Sequence, residues 1–243
     1  MNEKNSIKLI LIFAGSLILS ALILSDGISS ISNSKNIITV TGSAREQITS
    51  DYGYFSISIN SRAKNSNDAY SNLEMNNKKI MDFFKKFNLT DSNFSHSIIS
   101  VNAVEKYDKN GSLLNEVDYY SAYQNINIES RDVYLIEKIS KSDLRELYNL
   151  GVQVTVNQPS YTYSGVQELK ISMQAKATLD AKERAIQIAE ASDSEIDKLV
   201  NARMGVIQIV PRGSTEISDW GMNDISSIQK DIIAVVNVSF NVK

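Results

Sequence analysis

Apolar and polar residues change period along the chain, and the changes mark its elements. The run Ile37-Ile-Thr-Val-Thr-Gly42 is β-branched and ends at glycine, which predicts a strand. From Tyr52 to Asn60 the pattern alternates. Phe55, Ile57 and Ile59 face one way, Ser56 and Ser58 the other, so a half-buried strand is expected. At Asn65 the period becomes helical. Ala69, Leu73, Ile80, Phe83, Phe84 and Phe87 form an apolar stripe, and Asn65 or Ser66 can cap it. Ser97 to Val104 returns to strand composition. The turn signal Asp108-Lys-Asn-Gly111 and the period-2 stretch Tyr119 to Glu129 follow, together a hairpin with a long loop.

A second helix is expected from about Asp132 to Leu150, with Gly151 as its left-handed cap. Val152 to Val156 is a strand, and Pro159 belongs at its end or edge. Val166 to Ala191 contains no Gly or Pro and is rich in alanine, which predicts a long helix able to approach a neighbour closely. Strands near Val200 to Val210 and Ile232 to Val242 close the chain, separated by a polar loop from Pro211 to Lys230. The order is roughly ββαβ followed by βαβαββ. It predicts an α+β fold with a mixed, largely antiparallel sheet and packed long helices within residues 37–243.

The N-terminus reads differently. Leu9 to Leu24 is apolar on every face apart from Ser16 and Ser20, whose hydroxyls can bond back to helix carbonyls. The run is short for a spanning helix, which needs about 20 apolar residues, and Ile7 and Ile28 can extend it. Residues 7–25 are therefore read as a transmembrane anchor, 1–6 as a cytoplasmic N-terminus and 26–36 as a Ser/Asn/Gly linker. Lys4 and Lys8 precede the run and Asp26 follows it. That asymmetry places the N-terminus in the cytoplasm and the C-terminal domain in the periplasm or extracellular space. A cleaved signal peptide is the competing reading, with Ser25-Asp26-Gly27 as a weak cleavage site.

Composition narrows the chemistry. With 42% hydrophobic residues, 243 positions are enough for a sizeable core. The net charge of −3 and the lack of basic blocks give no nucleic-acid footprint. The absence of cysteine removes disulfides, thiolate nucleophiles and thiolate metal sites. His96 is the sole histidine, and Ser95 and Ser97 are too close in sequence to complete a Ser-His-Asp site with it. Carboxylate pairs such as Glu129 with Asp132, or Asp180 with Glu183, match ordinary surface spacing. Asp108-Lys-Asn110-Gly111 lacks the acids of a calcium loop. No catalytic, cofactor or metal site is read, and a non-enzymatic protein is expected.

The strongest recognition candidate is the loop Pro211 to Lys230, because long loops are usually functional or disordered. It carries Arg212, Asp219 and Trp220. Trp220 is either an exposed interface anchor or a cover over the sheet edge. Tyr161 and Tyr163 form a second candidate aromatic surface.

Several of these segments resemble the SIMPL domain family, mostly bacterial secreted or membrane-anchored proteins. The strand containing Val40-Thr-Gly42 is similar to that family's early V-x-G strand. The helix start near Ala69 and the stretch Ala175 to Ala185 resemble its paired helices. The tail resembles its membrane-anchored branch: Ala202 to Ile209, Ser214 to Gly221, and Ser226 to Lys230 running into Ala234-Val-Val. Trp220 stands where the family more often has tyrosine. The resemblance covers about 37–243. It implies an α+β fold of two related βαβ-type halves, a periplasmic or cell-surface location and ring-like oligomers. Some members are described as oxidative-stress defence or periplasmic immunogenic proteins. The partners expected are thus the membrane through the N-terminal segment, further copies in a homo-oligomer, and an envelope protein.

Overall fold

A computed structural model of the chain describes residues 13–24 and 36–243. Among the described residues the fold is α+β with antiparallel sheets and five α-helices. Residues 13–24 form α1. Ser16 Oγ donates to the Phe13 carbonyl and Ser20 Oγ to that of Ser16, both at 2.8 Å. The polar interruptions of the apolar run are thereby absorbed by the helix itself. Phe13, Leu17, Leu22 and Ile23 are exposed. Among the described residues no helix is long and apolar enough to cross a membrane. Residues 1–12 and 25–35, which hold the rest of the expected anchor and nearly all of its linker, lie outside the described residues.

The rest of the chain folds as two compact units, each assembled from segments distant in sequence. Among the described residues the first includes 36–45, Lys170–Ile207 and Ile233–Lys243, and the second comprises Glu46–Leu169 and Gln208–Ile232. The units interleave, so the order ββαβ then βαβαββ does not map onto them segment by segment. Strands β1 (Ile37–Thr49) and β10 (Gln229–Val242) and helix α5 (Val166–Glu190) contribute residues to both.

In the first unit β10 lies between β1 and β8 (Ile196–Met204). Side-chain rungs tie β1 to β10: Thr39 Oγ1 with Ser239 Oγ at 2.9 Å and Thr41 Oγ1 to Asn237 Oδ1 at 2.6 Å. Helix α5 buries Met173, Ala177, Ala181, Ala185 and Ala189, one residue per turn. The reason for small residues is Gly42. A Cβ there would lie 2.2 Å from the Ala177 carbonyl oxygen and 2.6 Å from Ala181 Cβ. Backbone thus meets backbone, and only glycine on the strand and alanine on the helix allow it. Asp180 fastens the contact by accepting from Ser43 N at 2.8 Å.

The second unit holds the main core. Strand β2 (Tyr52–Ala63) pairs antiparallel with β5 (Leu113–Ser130) from Gly53↔Ser130 to Ala63↔Tyr120. β3 (Phe94–His96) and β4 (Ser100–Tyr107) add to β5, and β6 (Val154–Val156) and β7 (Ser160–Thr162) add to β2. Phe55, Ile57 and Ile59 of β2 and Ile126 and Ile128 of β5 face helix α2 (Ser66–Lys85), which contributes Leu73, Ile80, Phe83 and Phe84. Asn65 caps that helix by accepting from Asp68 N at 2.8 Å. Phe84 meets Phe83 edge-on at 4.9 Å between ring centroids.

Three elements differ from the sequence-based expectation. The helix expected over 132–150 is two, α3 (Val133–Ser140) and α4 (Arg145–Asn149). Asp143 between them accepts from Arg145 N and Nε, a local bond that competes with continuing the helix. The expected long hairpin loop is a tight turn, because β5 already starts at Leu113. Asp108 Oδ1 accepts from both Asn110 N and Ser112 N, and Gly111 supplies φ +83. The strand expected over 200–210 is two: β8 ends at Met204, Gly205 N still donates to the Val235 carbonyl of β10 at 2.8 Å, and after residues 205–207 β9 (Gln208–Pro211) follows. Gly151 takes its expected left-handed conformation at φ +76.

Candidate functional site

The loop between β9 and β10 presents the most exposed aromatic side chain among the described residues. Trp220 is 94% exposed and Ile217 74%. That decides between the two readings of Trp220: it does not cover a sheet edge. The segment is held at many points nonetheless. Gln208 Nε2 donates to the Ser218 carbonyl at 2.6 Å, Ile209 N to Met222 O and Asp224 N to Ile209 O, both at 2.8 Å. Ile209 and Asn223 form an isolated parallel bridge. Gly221 at φ +84 closes the turn, its N–H donating to Ser218 O. Asp219 and Trp220 therefore ride on a fixed tip.

Beneath the tip are two buried charged residues that pattern reading missed. Lys230 and Asp231 are each 2% exposed. Lys230 Nζ donates to the Tyr161 carbonyl at 2.6 Å and to the Asp224 carbonyl. Asp231 Oδ2 accepts from Gly213 N at 2.9 Å. One ammonium thus joins β7 to the loop, and one carboxylate holds the loop's opposite end. Burial pushes the Lys230 amine below its ordinary value, against the opposing charge of Asp224. Burial would raise the Asp224 carboxyl, but hydrogen bonds from Ser226 and Ser227 and the Lys230 charge outweigh it and hold it low. The only sequence signal was two adjacent charges at the head of an apolar strand.

The other predicted site residues separate. Arg212 and Asp219 are exposed on the loop. Tyr163 is half-buried. Tyr161 requires a correction: at 4% exposure it belongs to the main core, because β7 turns its ring inward against Gly53 and offers its backbone carbonyl to Lys230. It cannot present its ring to a partner.

A second feature is a cleft of about 620 Å³ in the same unit. Tyr70, Glu74, Asn77, Lys78 and Met81 recur at helical spacing along α2 and form one wall, and His96 to Ile99 form the other. A directed amide chain crosses its floor. Gln124 Nε2 donates to Ser97 O at 2.6 Å, and Asn77 Nδ2 donates to Gln124 Oε1 at 3.0 Å. The carbonyl of Ser97 fixes the orientation of Gln124, and Gln124 fixes that of Asn77. His96 Nδ1 stands 3.4 Å from Asn77 Nδ2.

The acidic pairs singled out by spacing perform structural tasks. Glu129 accepts from the Tyr52 hydroxyl, Asp132 caps α3 through Leu135 N, and Asp180 binds Ser43 and Arg184. Among the described residues no group of His, Cys, Asp or Glu could hold a metal ion.

Residues 38–240 match the model of the SIMPL family, described as a protein of unknown function (DUF541). The chain belongs to the SIMPL family. The match spans both units and ends within β10, so it takes in the Gly42 contact, the main core and the Trp220 loop. No curated protein matches the chain.

Proposed function

We propose that this SIMPL-family chain is a non-enzymatic, membrane-anchored protein of the cell envelope that self-associates. The observation that carries the reading is Trp220, almost wholly exposed on a loop fastened by Gln208, Ile209 and Lys230. A fixed, exposed aromatic is what a binding hot spot requires, since little ordering entropy is lost on contact. The anchor reading draws on the apolar run through 7–25 and its flanking charges, which direct the N-terminus to the cytoplasm and the folded domain to the periplasm or outer surface. The two related βαβ-type halves and a link to envelope or oxidative stress defence follow from the family resemblance and belong to the same proposal.

Chemical cross-linking of the full-length chain in cells, followed by gel analysis, tests it. Ladders of multiples of the chain are expected, weakened by Trp220→Ala. A single monomer band under conditions that cross-link a known envelope oligomer contradicts it.

The cleft beside α2 favours a second reading, a binding module for a small neutral envelope ligand. Its lining carries Glu74, Lys78 and His96, mixed with apolar Met81 and Ile98, and its size suits a ligand. A melting shift on adding a neutral sugar or short peptide, lost in Gln124→Ala, is the expected result. No shift with any member of such a panel removes the reading.

A further inference from the structure

We propose that the Trp220 tip of one copy docks head-to-tail into the groove between β1 and α5 of a second copy. The proposal rests on the self-association reading and assigns its two surfaces.

The groove lies in the first unit and has a volume of about 480 Å³. Val40 of β1, 6% exposed, forms its floor, and Ile188 of α5, 50% exposed, forms an apolar wall. Arg184 and Gln187 stand on α5 along the same groove. Arg184 commits its Nε–H to Asp180 at 2.8 Å, and a guanidinium carries further N–H groups in the same plane. The floor is rigid, because β1 is clamped to α5 at Gly42 and to β10 by the Thr39 and Thr41 rungs.

The tip is the complement in apolar character and charge. Ile217 and Trp220, three residues apart, are both exposed on a fixed turn. Residues 214–224 include Glu216, Asp219 and Asp224 and no lysine or arginine. The indole and Ile217 would cover Val40 and Ile188. Asp219 would meet Arg184, and the indole N–H has an acceptor in the Gln187 amide. The acidic character also disfavours the alternative occupant of an apolar tip, an anionic lipid surface. Tip and groove are different surfaces of one chain, so the contact is heterologous and each copy offers one of each.

The test uses the full-length chain in detergent micelles, with mass from light scattering and emission from Trp220, the sole tryptophan. The wild type is expected to gain mass and shift its emission to the blue as concentration rises. Trp220→Ala lacks the tip and Ile188→Asp lacks the groove, so each alone stays monomeric. Mixed together they form a one-to-one pair. The intact tip of the Ile188→Asp copy enters the intact groove of the Trp220→Ala copy, and its emission shifts to the blue. Circular dichroism confirms that both variants fold. If the wild type assembles but Ile188→Asp assembles equally, or the mixture stays monomeric, the groove assignment is overturned and self-association stands. If the wild type is monomeric at every concentration, with unshifted emission, self-association and this docking fall together.

Discussion

Replacing Lys230 with methionine isolates what the buried ammonium does. Methionine keeps an unbranched apolar stem of similar length, so packing changes little. What is lost are two charge-assisted hydrogen bonds, to the Tyr161 and Asp224 carbonyls, at a site 2% exposed. Hydrogen bonds to charged groups are worth about 1.5–3 kcal/mol each, so the gross loss is about 3–6 kcal/mol. Relief from burying an ammonium offsets part of this, and burial already depresses the Lys230 amine. A net cost of about 2–4 kcal/mol remains. At about 2–4 °C per kcal/mol for a chain of this size, the melting temperature should fall by roughly 5–15 °C. The loss is local first. Hydrogen exchange should accelerate at the Ile209 and Asp224 amides, which the loop bonds now protect, and Trp220 fluorescence anisotropy should drop. A variant that melts with the wild type and keeps slow exchange at both amides refutes the idea that Lys230 fixes the tip.

Four further outcomes follow from the same structure. Gly42→Ala places a methyl 2.2 Å from the Ala177 carbonyl, and a cost of about 3 kcal/mol or more in urea denaturation is expected. Tyr52, pushed up to about 12 by burial and by the Glu129 carboxylate that accepts its hydrogen bond, should ionise above the ordinary tyrosine range when followed near 295 nm. Its folded value exceeds the ordinary 10.0, so its stabilisation is complete below pH 10 and lost as pH rises toward about 12. Tyr52→Phe should flatten that alkaline decline. The Asp180 carboxyl is held low by the Ser43 N–H and Arg184, so its contribution is present above pH 3.8 and lost as pH falls through its lower folded value. Asp180→Asn should flatten the acid limb of an unfolding curve. The chain has no cysteine, so single cysteines report topology cleanly. In intact cells Asn110→Cys at the hairpin tip should react with a membrane-impermeant thiol reagent and Asn2→Cys should not. The reverse pattern contradicts the orientation.

Periodicity made the core legible. Phe55, Ile57, Ile59, Leu73, Phe83 and Phe84 were placed on buried faces by spacing alone, and all are buried. The alanine-rich helix was legible too, but its reason was not: the close approach that requires Gly42 depends on two segments far apart in sequence. The break between α3 and α4 was missed because the short-range bond at Asp143 outcompetes helix propensity. In the loop between β9 and β10 the sequence pointed to Trp220 and left its exposure open. Tyr161 misled because alternation along Tyr161-Thr-Tyr163 does not say which face is inward. Lys230 was invisible as a loop anchor because both of its acceptors are backbone carbonyls, which no residue type encodes.

The most direct measurement is the mass of the full-length chain by light scattering across a wide concentration range, followed together with Trp220 emission. Growth beyond one chain, in step with a blue shift and abolished by Trp220→Ala, is the expected result. A constant single-chain mass with unshifted emission at the highest concentration contradicts a self-associating role for the fixed Trp220 tip.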